Sequence, residues 1–294
     1  DQKKTTISGK MEGVADGTQV SVSHKIGMMT HTLGQAEVKD GRFELSFLLE
    51  KPEFINFSCY KVFFGNVWAK PGDRMVLEGN KPVYTGGEYE LNNLLTELNA
   101  KYADRWPGYG DDVFDQKRGK LSYDIYASIK NEIDASALRP EMKRMLTAYF
   151  QGVLLDKMYG RVATSKVIGK GFPRPIVKNG YSNAVLKLEL LPELVNYPSW
   201  TDCVQELLYA RLAAGMIKIQ GRGSYITDMA AGLKSEKLRE AYIMDQLRME
   251  ILRGHLFGIE DRIENARSMV KSPDNVALLS QMPEQAQKSL QEFK

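Results

Sequence analysis

At 294 residues the chain exceeds one ordinary domain and points to about two. Its 43% hydrophobic and 26% charged residues exclude a disordered polymer. The net charge of +3 is evenly spread, with 11 Lys/Arg against 10 Asp/Glu in residues 1–82 and 29 against 27 beyond. No segment has the basic excess that drives binding to nucleic acid or an anionic membrane.

No run of about 18 apolar residues is present, so no segment is expected to cross a bilayer as a helix. The polar start Asp1-Gln2-Lys3-Lys4, without an initiator Met, fits a chain trimmed after a removed export signal, as it fits any other trimming. Cys59 and Cys203 lie 144 positions apart and form no Cys-x-x-Cys pair, zinc spacing or disulfide framework. Two isolated buried thiols are the expectation.

From the N-terminus, short alternating runs cover Thr5 to Lys10, Thr18 to Lys25, Thr30 to Val38, Arg42 to Leu49, Phe54 to Phe63 and Arg74 to Glu78. Gln19-Val20-Ser21-Val22-Ser23 and Arg42-Phe43-Glu44-Leu45-Ser46-Phe47 put one face inward and the other outward. Ala15-Asp16-Gly17, Lys39-Asp40-Gly41 and Lys70-Pro71-Gly72-Asp73 supply turns, and Lys51-Pro52 ends the fourth run. Six or seven strands with no helix between them predict an antiparallel β-sandwich over residues 1–85.

From residue 86 the pattern changes to the helical period, and residues 86–294 are expected to form a helical domain. Leu91, Leu94, Leu95, Leu98 and Tyr102 make one stripe. Met142, Met145, Leu146, Tyr149, Phe150, Val153 and Leu154 make a second, opened by Pro140. Ser199-Trp200-Thr201-Asp202 has the form of a capping box for a third, with Val204, Leu207, Leu208, Leu212 and Ile219. A fourth follows Ser235. Weaker helices are expected at about 120–134, 183–190, 259–270 and 283–293, the last begun by Pro283. Gly169-Lys170-Gly171-Phe172-Pro173-Arg174-Pro175 reads as a long irregular loop. Strands followed by helices make the chain α+β.

Candidate chemistry is sparse. If Gly27-Met28 is a two-residue turn, Ile26 faces Met29, Lys25 faces Thr30 and His24 faces His31. Two imidazoles about 5 Å apart can share a metal ion, although no third ligand is evident nearby and cross-strand polar pairs are also common on solvent faces. His255 reads as a surface or capping residue near a helix end rather than a catalytic one. Gly169-Lys170-Gly171 and Gly221-Arg222-Gly223-Ser224 lack Walker spacing and read as loops. No Gly-x-Ser-x-Gly elbow occurs. On a helix the neighbours Asp111-Asp112 and Glu260-Asp261 would point about 100° apart, which is no acid/base dyad. Tyr102, Trp106, Tyr109 and Phe114 surround Trp106-Pro107-Gly108-Tyr109-Gly110, an inter-helix turn that either lines a binding groove or packs a joint. No cofactor is implied.

Several stretches have the order and spacing of a known family. They are Ile7-Ser8-Gly9-Lys10, Gln35 to Phe43 with Lys39-Asp40-Gly41-Arg42-Phe43, Ala69-Lys70-Pro71-Gly72-Asp73, and Tyr84-Thr85-Gly86-Gly87 leading into Leu91-Asn92-Asn93-Leu94-Leu95. Over residues 5–100 the chain resembles the N-terminal region of TlpA/ResA-type thioredoxin-like thiol-disulfide oxidoreductases of Bacteroidota. Met282 to Phe293 looks like the helix that leads into that family's thioredoxin domain.

The resemblance implies an exported protein of the periplasm or cell envelope, often lipid-anchored. Its Trp-Cys-x-x-Cys site would lie in a C-terminal thioredoxin domain not contained in these residues. Neither Cys59 nor Cys203 matches that motif, so no catalytic residue carries over. The expected role is a non-catalytic accessory region that positions the thioredoxin domain, recognises a client protein or mediates self-association. The alternative is a free-standing envelope binding module for a glycan or peptide, with Tyr102, Trp106 and Tyr109 as its platform.

Overall fold

A computed structural model describes residues 3–26, 29–79, 83–107, 116–159 and 184–292. Eight strands come first: β1 (Thr5–Lys10), β2 (Gln19–Ile26), β3 (Met29–Glu37), β4 (Arg42–Phe47), β5 (Glu53–Cys59), β6 (Phe63–Ala69), β7 (Arg74–Glu78) and β8 (Val83–Thr85). The helices follow: α1 (Tyr89–Tyr102), α2 (Gln116–Ala135), α3 (Pro140–Tyr159), α4 (Trp200–Ala213), α5 (Tyr225–Ala230), α6 (Glu236–Leu252), α7 (Ile259–Arg267) and α8 (Pro273–Glu292). The α+β order expected from the change of period is the order observed.

The strands form two four-stranded sheets, β4-β1-β7-β8 and β3-β2-β5-β6. Alternation builds them. In β4 the buried residues are Phe43, Leu45 and Phe47, and in β2 they are Val20 and Val22. These side chains join Ile7, Phe57, Val67 and Leu77 in one core. Each contributes about 1.5–3 kcal/mol by leaving water. Among the described residues all strand pairs are antiparallel except one, for β1 runs parallel to β7. Alternation reports which face is buried but says nothing about the direction of a neighbour, so this pairing had no sequence signal.

The turns follow their chemistry. Asp40 and Gly41 both take positive φ, 51° and 71°, in a two-residue hairpin closed by Lys39 and Arg42, whose amides and carbonyls bond each other at 2.8 and 2.9 Å. Between β6 and β7, Gly72 has φ 88° and the Asp73 amide donates to Lys70 O at 3.0 Å. The buried Thr5 hydroxyl locks this turn, donating to Lys70 O and accepting from the Gly72 amide, each at 3.1 Å.

One open side of the sandwich has β6 and β8 as its edges, and α1 closes it. Leu91, Leu95 and Leu98 are its buried apolar residues. Asn92 accepts from the Trp68 amide at 2.8 Å and donates to Trp68 O at 3.0 Å. Asn93 does the same for Tyr84, at 2.7 and 3.0 Å. Trp68 belongs to β6 and Tyr84 to β8, so two adjacent side-chain amides each satisfy the backbone of one residue on a different sheet edge.

The chain divides into two compact units. The first is Asp1–Arg105 with Ile129–Leu146 and Asn196–Pro198, and the second is Trp106–Ser128 with Thr147–Val195 and Ser199–Lys294. In the first, Glu88 bonds Lys70 at 3.0 Å and Arg139 at 2.9 Å. In the second, buried polar side chains tie irregular backbone to helices. Gln151 of α3 accepts from the Leu191 amide at 2.9 Å and donates to Glu189 O at 3.1 Å. Arg211 of α4 donates to the carbonyls of Leu186, Gly232 and Leu188 at 2.7, 2.6 and 3.0 Å. Glu240 of α6 accepts from the amides of Lys271 and Ser272, just ahead of α8.

Four expected helix signals differ from the structure, the first being Ile219, which lies in irregular backbone beyond the end of α4 at Ala213. Ser199 precedes α4 but makes no side-chain cap, because its φ −109°, ψ 28° is not the extended conformation that aims a hydroxyl at the first turn. Pro283 lies inside α8 rather than at its start. The start is Ser272-Pro273, with the Ser272 hydroxyl accepting from the Asn275 amide at 3.4 Å. In the described part of 183–190 there is only a helical turn at 184–186, followed by a 3-10 helix at Pro192–Asn196. At Ser235 the expectation holds, and its hydroxyl accepts from the Leu238 amide at 3.2 Å.

Candidate functional site

The two histidines meet as the hairpin rule requires. Ile26 faces Met29, Lys25 faces Thr30 and His24 faces His31, with a register shift between Val22 and Ser23. Gly27 and Met28, expected as the turn, lie outside the described residues. The rings stand edge to face, 6.4 Å between centres. His24 Nδ1 also pairs with Glu53 Oε1 of β5, which sequence reasoning did not place nearby.

Tyr102 is buried at the end of α1. Its hydroxyl donates to Glu132 Oε2 at 2.5 Å, and Glu132 Oε1 accepts from Lys101 Nζ at 2.6 Å. Arg105 and Lys101 stand 5.0 and 5.6 Å from the centre of its ring. Burial, and then the bond to Glu132, push the Tyr102 hydroxyl above its ordinary range. The bonds from Lys101 and Tyr102 hold Glu132 below the usual carboxylate value. The hydroxyl and ring of Tyr102 are thus engaged inside the first unit. Trp106 is half-buried and belongs to the second unit. Tyr109, Phe114 and Asp111-Asp112 lie outside the described residues, as does the glycine loop at 169–175.

Both cysteines are free and each is 1% exposed. Burial pushes the Cys59 thiol up. The Cys203 thiol is pushed up further, first by burial and then by the Asp156 carboxylate. It donates to Asp156 Oδ1 at 2.9 Å. Thiolate is the reactive form, so this environment works against exchange chemistry.

The other glycine loop is closed on itself. Asp228 Oδ2 accepts from the Gln220 amide at 2.7 Å and the Ser224 hydroxyl at 2.8 Å, filling with a carboxylate the place an anion would take. Glu260 and Asp261 sit in the first turn of α7, where the helix dipole favours negative charge. The His255 amide closes the end of α6 by donating to Glu250 O at 2.9 Å.

Two features escaped the sequence reading. Around the β5–β6 turn, Tyr60 is 66% and Phe64 75% exposed, with Val62 also exposed. The signal was present at Phe64: the alternation that buries Phe57 and Cys59 turns Phe64, opposite Ser58, outward. The second is a cavity of about 230 Å³ lined by Leu186, Leu190, Arg211, Met216, Leu233 and Leu238 among others. Its lining comes from segments far apart in sequence.

Among the described residues no three His, Cys, Asp or Glu side chains gather to hold a metal, and no helix is long and apolar enough to cross a membrane. Comparison with protein-family models, curated proteins and solved structures returns no match.

Proposed function

We propose that the chain acts by recognition, as the non-catalytic accessory region of an exported TlpA/ResA-type thiol-disulfide oxidoreductase. In this role it positions the thioredoxin domain or holds its client. The observation that carries the reading is the state of the two thiols: both are 1% exposed and both are pushed up by burial. The stretches that resemble the family support it from the other side. Lys39 to Arg42, Lys70 to Asp73 and Asn92-Asn93 all serve turns and sheet edges, so what they share with the family is scaffold. The exposed Tyr60, Val62 and Phe64 supply an apolar surface of the kind that recognition uses.

The test is reduction of insulin by this chain with dithiothreitol as electron donor. The expected rate equals that of dithiothreitol alone. A rate clearly above it, lost in Cys59→Ala or Cys203→Ala, refutes the proposal.

The same exposed aromatics favour a second reading, a free-standing module that stacks on a glycan or clasps a peptide. Fluorescence titration with envelope glycans and peptides separates the two. Saturable quenching that disappears in Tyr60→Ser and Phe64→Ser favours the module, and a flat response favours the accessory region.

A further inference from the structure

We propose that the β2–β3 hairpin carries a binding site for a borderline divalent transition ion such as Zn²⁺ or Ni²⁺. His24 and His31 are its ligands and Glu53 orients the first of them. The register places the two imidazoles on directly opposed residues. Zinc held about 2.0–2.1 Å from one nitrogen of each ring sets the ring centres about 5–6 Å apart. They stand 6.4 Å apart, close to that separation.

The carboxylate of Glu53 supplies the second half of the argument. An ionised carboxylate only accepts hydrogen bonds, so in a neutral His24 the proton sits on Nδ1, facing Glu53 Oε1. Nε2 then presents its lone pair. A carboxylate behind one imidazole nitrogen fixes the tautomer, steadies the ring and strengthens the other nitrogen as a donor. Side-chain exposure of 20% at His24 and 18% at Glu53 makes this pair a held one, while His31 is exposed and open to an arriving ion. Two imidazoles leave the remaining positions to water or to a donor from another molecule. Nitrogen ligands select zinc, nickel or copper over magnesium and calcium, which prefer oxygen. Glu53 lies 22 positions or more from either histidine, so only the pairing of β2 with β5 brings it there.

The experiment is calorimetric titration of the untagged chain with Zn²⁺ and Ni²⁺, with Mg²⁺ as contrast, and NMR of the histidine rings in the unaltered protein. Expected are one Zn²⁺ or Ni²⁺ per chain, shifts of two of the three histidine ring signals, and no response to Mg²⁺. His24→Ala and His31→Ala each abolish binding. Glu53→Gln weakens it by about 10–100-fold, and His255→Ala leaves it unchanged. Absence of binding by the unaltered chain overturns the proposal, as does binding that survives both His24→Ala and His31→Ala. Ring shifts confined to His255 overturn it as well.

Discussion

Asn92 and Asn93 are neighbours on α1, yet each holds a different sheet: Asn92 pairs with the backbone of Trp68 in β6 and Asn93 with that of Tyr84 in β8. Each side-chain amide offers one donor and one acceptor in the arrangement of a neighbouring strand, so a helix takes the place of two missing strands. An open sandwich edge with unpaired amides invites association with other chains, and here that edge is closed within the first unit.

Asn92 is fully buried, and its truncation leaves an amide and a carbonyl of Trp68 without partners. Asn92→Ala is expected to cost about 2–6 kcal/mol, at about 1–3 kcal/mol for each of the two orphaned groups. Asn93, only half-buried, is expected to cost less, about 1–2 kcal/mol. Urea unfolding of both variants checks the order, and equal losses would contradict the difference in burial.

Glycine is required at position 86 for two reasons, and at position 17 for one. Both residues have positive φ, 76° and 85°. A Cβ at Gly86 would lie 2.0 Å from Arg74 O, whereas one at Gly17 would meet nothing within 4 Å. Gly17→Ala therefore incurs only the left-handed penalty, about 1–2 kcal/mol. Gly86→Ala also has to displace backbone, and about 3 kcal/mol or more is expected. Thermal melts of the two variants measure the gap.

Glu88 makes stability depend on pH in a defined direction. Burial pushes its carboxyl up, but the bond and charge of Lys70, and then Arg139, outweigh that and leave it below its ordinary value. The folded carboxyl thus releases its proton more readily than the unfolded one, which titrates near ~4.3. Its contribution is fully present above that range and is lost as pH falls through the lowered folded value. With both cations largely exposed, the contribution is below about 1 kcal/mol. The stability difference between the unaltered chain and Glu88→Gln is expected to be constant from pH 8 to about 5 and to shrink below about 4. A difference that persists at pH 3 contradicts the assignment.

Both thiols are expected to resist a water-soluble disulfide reagent at pH 8 in the folded chain and to react fully in denaturant. Their raised pKa keeps the protonated form, and burial blocks access. Fast labelling of either cysteine in the native protein would remove the main support for a recognition role.

Strand and helix positions were largely legible because burial imposes a period. Val20 and Val22 in β2, or Leu91, Leu95 and Leu98 in α1, declare themselves by spacing. The His24–His31 register agrees with the expectation of a two-residue turn, which leaves no freedom in the pairing beyond it. Pro283 misled because proline more often starts helices than interrupts them, while the actual start at Ser272-Pro273 carried the same kind of signal ten positions earlier. The role of Asn92 was not legible because a polar residue inside an apolar stripe has meaning only when its partner backbone is known.

Local chemistry therefore determined the order of elements, the turn conformations and the α+β class, since each depends on residues within a few positions of one another. Tertiary structure alone decided that β1 runs parallel to β7, that Asn92 and Asn93 hold two sheets, that Glu53 stands behind His24, and that Arg211 and Glu240 fasten distant backbone. Apart from Asn93 and Tyr84, nine positions apart, hydrogen bonds or sheet pairing here join segments separated by 20 or more residues, and hydrophobic period carries no information about which group will arrive.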